Sequence, residues 1–467
     1  MPTPATMSPT PFASKAASTD HRSTGCRLVA ADGRELLLRA VTLHTEAKGG
    51  IARVLVRQRW FNPYAEALRV HYQLPLPADG AVSGYSFTIQ GRRTRASIAR
   101  KQEAREAFEE AVAQGHSAAL LEEERSSLFT QELGNVPPDE EIEVEVEVDQ
   151  PLTWLSAGTH AGSWEWRFPT VVAPRYMGAE GRVSDVEKVS VDISEALPPG
   201  RVRLELQIGD ALRGGSPSSP SHALAGTTDS LALEAQAGAP LDRDVVVRWP
   251  VAAKKAGVEL VTARPAAPAE GSDTHLAHSA FGLLTVVPPR VDLPTGKHAR
   301  DLCVLVDVSG SMGGEPLDQA RRVIRALIDS LDAKDQLELI AFSWAPERWL
   351  KEPRKMDASG KKAARKWVDQ LRVGGATEMR AGIIEALRPL RSDAQRQVLI
   401  VTDGLIGFES EIVAEIRTSL PANSRVHTLG VGHGVNRSLT GPAARAGGGF
   451  EAIVAPGEDV EGVLPRL

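Results

Sequence analysis

Between Arg300 and Leu467 the chain alternates short, almost wholly apolar runs with amphipathic ones, and this pattern limits its fold more than any other feature. The apolar runs are Leu302 to Val306, Leu337 to Phe342, Val398 to Val401, Val426 to Val431 and Phe450 to Val454. Helical periodicity lies between them over Glu315 to Leu331, Lys361 to Leu371 and Arg380 to Leu390. A strand with no polar face has to be covered on both sides, which is the condition of a parallel sheet between helices. Residues 301–467 are therefore expected to form a doubly wound, Rossmann-like α/β domain.

The residues before it read differently. Leu36 to Val41, Ile51 to Gln58, Leu68 to Leu74 and Ser86 to Gln90 are strand candidates, the third ending at Pro75 and Pro77. One helix is expected over Arg100 to Gln114, where Ala104, Ala107, Phe108, Ala111 and Val112 recur at helical spacing before Gly115. Glu141 to Val148 alternates Glu with Ile or Val, predicting a strand whose glutamates form one solvated face. Residues 156–300 are again β-rich, with strands expected at Val202 to Ile208 and Val245 to Trp249 and loops at Gly214 to Pro220 and Ala263 to Ser272. At roughly 150 residues per domain, the 467 residues divide as a disordered tail (1–24), a β-rich domain with one helix (25–155), a second β-rich region packed against it (156–300) and the α/β domain (301–467). The whole is multidomain, α+β followed by α/β.

In open α/β sheets ligands bind at the carboxyl ends of the strands. Three loops there carry a matching set of donors. Asp307-Val308-Ser309-Gly310-Ser311 follows the first strand, Thr377 lies in the loop Gly374-Gly375-Ala376-Thr377-Glu378, and Asp403-Gly404 follows the strand ending near Val401. Asp307, Ser309, Ser311, Thr377 and Asp403 are all hard oxygen donors, a set that suits Mg²⁺, with Mn²⁺ or Ca²⁺ as alternatives, and not Zn²⁺. Taken singly, each loop is equally an ordinary helix cap or turn.

Asp-x-Ser-x-Ser after an apolar strand, then Thr, then Asp-Gly after a later strand, resembles the metal-ion-dependent adhesion site of von Willebrand factor type A domains. The resemblance implies direct coordination by Ser309, Ser311 and Thr377, with Asp307 and Asp403 acting directly or through water. It also implies a last position filled by an acidic residue of a protein partner. Upstream, Gln58 to Pro63, Tyr72 to Pro77, Ala118 to Glu122, Phe129-Thr130 and Gly134 to Pro138 resemble the vault protein inter-alpha-trypsin domain, over about Gly25 to Leu155. Phe168 to Thr170 and Pro174 to Tyr176 continue the likeness. Inter-alpha-trypsin inhibitor heavy chains and bacterial relatives share this pairing. The long C-terminal region by which those heavy chains are esterified to a glycosaminoglycan is not expected here, nor is a polymerase domain.

The function expected is metal-dependent protein binding, with no catalytic residues. A Walker loop, a His-Glu-x-x-His motif and a Gly-x-Ser-x-Gly elbow are all absent from the sequence. Where aspartyl-phosphate phosphatases carry a second Asp this chain has Ser309, and His433 has no evident acid or base partner. A Mg²⁺-dependent phosphohydrolase and a scaffold with a purely structural metal are the alternatives. A net charge of −6 offers no broad basic field for nucleic acid. No run of about 18 apolar residues predicts a membrane span, and only Cys26 and Cys303 are present. With no signal-peptide core in the first residues either, the cytoplasm is the expected location. Oligomeric state and partner identity are not legible.

Overall fold

The computed structural model describes residues 28–155, 162–190, 200–251, 257–264, 279–287, 300–388 and 396–458. The expected tail, Cys26 and most of Ala263 to Ser272 lie outside them. No helix among the described residues is long and apolar enough to cross a membrane.

The C-terminal region is a mixed sheet with helices on both faces. Its order is Pro346–Arg348, Gln336–Phe342, Asp301–Asp307, Arg396–Thr402, Arg425–Val431 and Gly448–Val454. The last five run parallel, and Pro346–Arg348 is an antiparallel edge formed by a hairpin. The apolar runs are buried along nearly their whole length, as strands covered on both sides must be. Helix Glu315–Ser330 lays Leu317, Ala320, Val323, Ile324, Leu327 and Ile328 on one face, and Met379–Leu387 covers the other with Met379, Ile383 and Ala386. Helices Ala358–Gln370, Glu409–Ser419 and Arg437–Ala446 complete the layers. From the Asp301–Asp307 strand the chain first builds outward to Gln336–Phe342, then returns to Arg396–Thr402 on the other side. The topological switch point thus falls between the strands that end in Asp307 and Thr402.

The N-terminal region is β-rich. Glu35–Lys48 and Ile51–Phe61 pair across Gly49-Gly50, both at positive φ as the tightest hairpin turns require. Glu141–Pro151 lies between Ile51–Phe61 and Ala81–Ile89. Its glutamate alternation holds, but the face is not a bare solvated strip. Arg57 meets Glu145 at 2.8 Å and Arg53 meets Asp149 at 2.8 Å across the strand pair, and Glu145 is buried. Like charges in line on a strand need opposite charges on its neighbours, and the arginines of Ile51–Phe61 supply them. The helix, Lys101–Ala113, is one residue shorter at each end than expected and packs Phe108 inward before Gly115 turns at positive φ.

Arg201–Ile208 pairs in parallel with Glu35–Lys48, so the second β-rich stretch contributes a strand to the first region's sheet. Thr153–Leu155, Ser163–Phe168 and Val245–Pro250 form a smaller sheet whose Trp166 and Trp249 share one apolar cluster with Trp60.

A strap, residues 169–190, runs from this smaller sheet onto the C-terminal domain. The Tyr176 N–H donates to the Leu405 carbonyl at 2.8 Å, and the Gly407 N–H to the Tyr176 carbonyl at 3.0 Å. Arg175 pairs with buried Glu409 at 2.7 Å, and Arg125 holds Asp185 at 2.7 Å while reaching Glu409 at 3.5 Å. Arg182 bridges Glu378 at 3.1 Å and Glu411 at 2.9 Å, with its guanidinium 3.6 Å from the centre of the Phe408 ring.

Candidate metal site

Asp307 ends its strand wholly buried. Its Oδ1 accepts the Ser309 N–H at 2.8 Å and its Oδ2 accepts the Thr402 hydroxyl at 2.7 Å. The first bond curls the chain into the short 3₁₀ turn Gly310–Met312, which sets the Ser309 and Ser311 hydroxyls 3.3 Å apart. The second ties the first strand end to the Arg396–Thr402 strand across the switch point.

Asp403 follows that strand, only 4% exposed. Its Oδ1 accepts the Leu405 N–H at 3.1 Å. Gly404 takes φ +73, a conformation that glycine adopts freely, and gives its N–H to the Thr402 hydroxyl at 2.8 Å. Thr402 therefore donates to one carboxylate and organises the loop of the other. Asn436 secures the same loop, donating from its side chain to the Gly404 and Ile406 carbonyls and to Glu409.

Thr377 reaches this face through its backbone. The Gly375 carbonyl accepts from the Gly310 N–H, the Gly374 N–H donates to Val308, and the Glu378 N–H donates to Ser343. These bonds seat the loop against the Asp307–Ser311 turn and leave Thr377 buried. Among the described residues no hydrogen bond joins the Thr377 hydroxyl to the other four expected residues, whereas hydrogen bonds link Asp307, Ser309 and Ser311, and Asp403 lies within reach of the Asp307 charge.

The electrostatics are unusual. Burial raises the Asp307 carboxyl above the ordinary aspartate range. Asp403 is raised to about 7, first by burial and then by the charge on Asp307, with the Ser311 hydroxyl and the Leu405 N–H pulling it partly back. Its Oδ2 is buried and has no hydrogen-bond partner. Among the described residues neither carboxylate forms an ion pair with a Lys, Arg or His. Two buried carboxylates of like charge, an orphaned oxygen, two close hydroxyls and no side-chain cation form a donor set that fits a hard divalent cation.

His433, expected to lack a partner, lies 3.2 Å from Glu315. Its ring sits on the rim of this face, after Gly432. Thr402, which the sequence places beside Asp403 without a role of its own, is the residue that joins the two carboxylate loops. The available signal was a hydroxyl directly after the apolar run Val398 to Val401.

Comparison with known proteins finds two domain families in the chain. Residues 38–148 match the vault protein inter-alpha-trypsin domain, and residues 300–452 match the von Willebrand factor type A domain. The chain is similar to a von Willebrand factor A domain-containing protein of Dictyostelium discoideum, 23% identical over 440 residues, covering 92% of this chain and 44% of that protein. It is similar to von Willebrand factor A domain-containing protein 5A of Homo sapiens, 24% identical over 449 residues, covering 92% and 56%. Protein mono-ADP-ribosyltransferase PARP4 of Homo sapiens is 24% identical over 438 residues, covering 91% of this chain and 24% of that protein. The chain thus spans about half the length, or less, of the curated relatives it matches. Among solved structures, a von Willebrand factor type A protein from Catenulispora acidiphila aligns at 17% identity and a TM-score of 0.33, covering 45% of each chain.

Proposed function

Since the chain joins a vault protein inter-alpha-trypsin domain to a von Willebrand factor type A domain, we propose that it is a divalent-metal-dependent protein-binding protein. Asp307, Ser309, Ser311, Thr377 and Asp403 would hold a Mg²⁺ ion whose chemistry is to accept a carboxylate from a partner. The observation that carries this reading is the buried, unpartnered Oδ2 of Asp403 beside the buried Asp307 carboxylate, with no side-chain cation to balance them.

Each residue then has a distinct task. Thr402 bonds one oxygen of Asp307 and the Ser309 N–H the other, which together fix the carboxylate plane. The Ser309 N–H, bonded to Asp307, turns the two serine hydroxyls toward the same face. Three of the five side chains are neutral, so they leave a bound dication much of its charge for an acidic partner. Burial excludes water from the carboxylates and strengthens their hold. No residue of the site is assigned a catalytic role.

The test is calorimetric titration of EDTA-treated protein with Mg²⁺, comparing wild type with the double variant Asp307→Ala, Asp403→Ala. The reading expects saturable binding in the wild type and none in the variant. Equal heats in both would remove these five residues from metal binding altogether.

A further inference from the structure

The face that carries the candidate metal site has two unlike rims. On one side, past Asp403, stand His433 and Glu315, a polar pair. On the other stands Trp344, an indole left 70% exposed on a chain whose other large aromatics are mostly covered. Trp344 lies at the tip of the hairpin that follows the Gln336–Phe342 strand, at the same carboxyl-end edge as Asp307.

Its position is built. A Cβ placed on Gly375 would come within 2.6 Å of the Trp344 Nε1 and 2.9 Å of its Cε2 and Cζ2, so the ring lies directly against the glycine. A Cβ on Gly374 would meet the Ser343 Oγ at 2.4 Å. The Gly374-Gly375 pair thereby accepts the hairpin tip on one side. On the other its backbone bonds to Val308 and Gly310, within the turn that presents Ser309 and Ser311. Val373, beside the pair and 45% exposed, approaches Gly313 of the same turn. An exposed indole and an exposed valine therefore border the proposed metal ligands on the side of the Gly374-Gly375 pair.

Resting on the reading of the site as a carboxylate acceptor, we propose that Trp344 selects the partner's sequence. The occupant is an acidic residue with a large apolar side chain within two positions of it, and that side chain packs on the indole while the carboxylate completes the metal site. Charge decides against a basic neighbour. A cation could otherwise stack on the ring, but here it would stand beside a dication. Water-exposed tryptophan next to a polar anchor is the composition of an interface hot spot.

The experiment is selection of phage-displayed random linear peptides on the immobilised full chain in Mg²⁺, with release by EDTA. Wild type, Trp344→Ala and Trp344→Phe are compared, and the Asp307→Ala, Asp403→Ala variant supplies the background. Peptides released from the wild type are expected to pair Asp or Glu with a nearby Phe, Trp, Leu, Ile or Met roughly tenfold more often than the unselected library. Trp344→Ala should keep the acid and lose the apolar neighbour, and Trp344→Phe should keep both. Acidic peptides without an apolar preference in the wild type, or the same preference in Trp344→Ala, overturn the role of Trp344 and leave the metal reading intact. No enrichment of acidic peptides over the double-variant background overturns the metal reading, and this inference with it.

Discussion

Free of any bound cation, this protein should lose stability at Asp403 as pH rises, the reverse of the usual behaviour of a native carboxylate. In the metal-free fold Asp403 is raised from 3.8 to about 7 by burial and by Asp307. The folded chain therefore holds a proton that the unfolded chain has already released. Such a group contributes its full stability below about pH 4 and has lost it once pH passes about 7. At ~1.4 kcal/mol per pH unit the whole interval is worth about 4 kcal/mol, of which about 3 kcal/mol falls between about pH 5 and pH 8. Asp307, raised by its own burial, acts in the same direction.

Two half-buried histidines oppose it. His427, held down to about 4, and His222, also lowered, are destabilising as pH falls through the ordinary histidine range. The informative quantity is therefore the difference between EDTA-treated wild type and EDTA-treated Asp403→Asn, which share both histidines. A domain of this size moves about 2–4 °C per kcal/mol, so thermal melts should show the variant gaining roughly 6–12 °C on the wild type between about pH 5 and pH 8. Saturating Mg²⁺ should abolish the wild type's share of that pH dependence. A constant gap between the two EDTA-treated proteins across the interval would refute the reasoning, because the buried like-charge pair would then cost nothing.

Thr402→Val removes the donor to Asp307 and the acceptor for the Gly404 N–H. It should cost about 1–3 kcal/mol in urea unfolding and weaken Mg²⁺ binding by calorimetry; a neutral result would mean that the hydroxyl is dispensable. Gly404→Ala places a side chain at φ +73 with its Cβ 3.3 Å from the Asn436 carbonyl oxygen. A loss of roughly 1–2 kcal/mol is expected in the same assay, and a stabilised variant would contradict the strain argument. Arg175→Ala strips the closest guanidinium from buried Glu409. The expected cost is about 3–5 kcal/mol, largely relieved by adding Glu409→Gln in a double-mutant cycle; strictly additive losses would show that the pair is not coupled.

Much of the C-terminal domain was legible because its constraint is local. Strands covered on both faces have to be apolar throughout, and ligands of such sheets sit where the strands end, so four oxygen-bearing residues after two strand ends stood out, with Thr377 in a Gly-rich loop before a helix. Helices Glu409–Ser419 and Arg437–Ala446 were not read. The first carries polar residues on most of its turns, and the second is built of small residues around Pro442. The pairing of Arg201–Ile208 with Glu35–Lys48 was equally hidden, since periodicity shows that a strand exists but not which distant strand it joins. Thr402 escaped for a related reason. Its importance lies in a hydrogen bond to a residue 95 positions away.

The strap gives the molecule a property that belongs to neither domain alone. It adds backbone hydrogen bonds to the loop that follows Asp403 and a guanidinium to the residue that follows Thr377. Two of the three loops that carry the proposed ligands are thus held partly by residues that precede the C-terminal domain in sequence. Linkage then runs both ways. Whatever free energy an ion gains from having those loops in place, the strap gains in its hold on the domain when the ion binds. Affinity measured on an excised C-terminal fragment would consequently describe a different receptor from the intact chain.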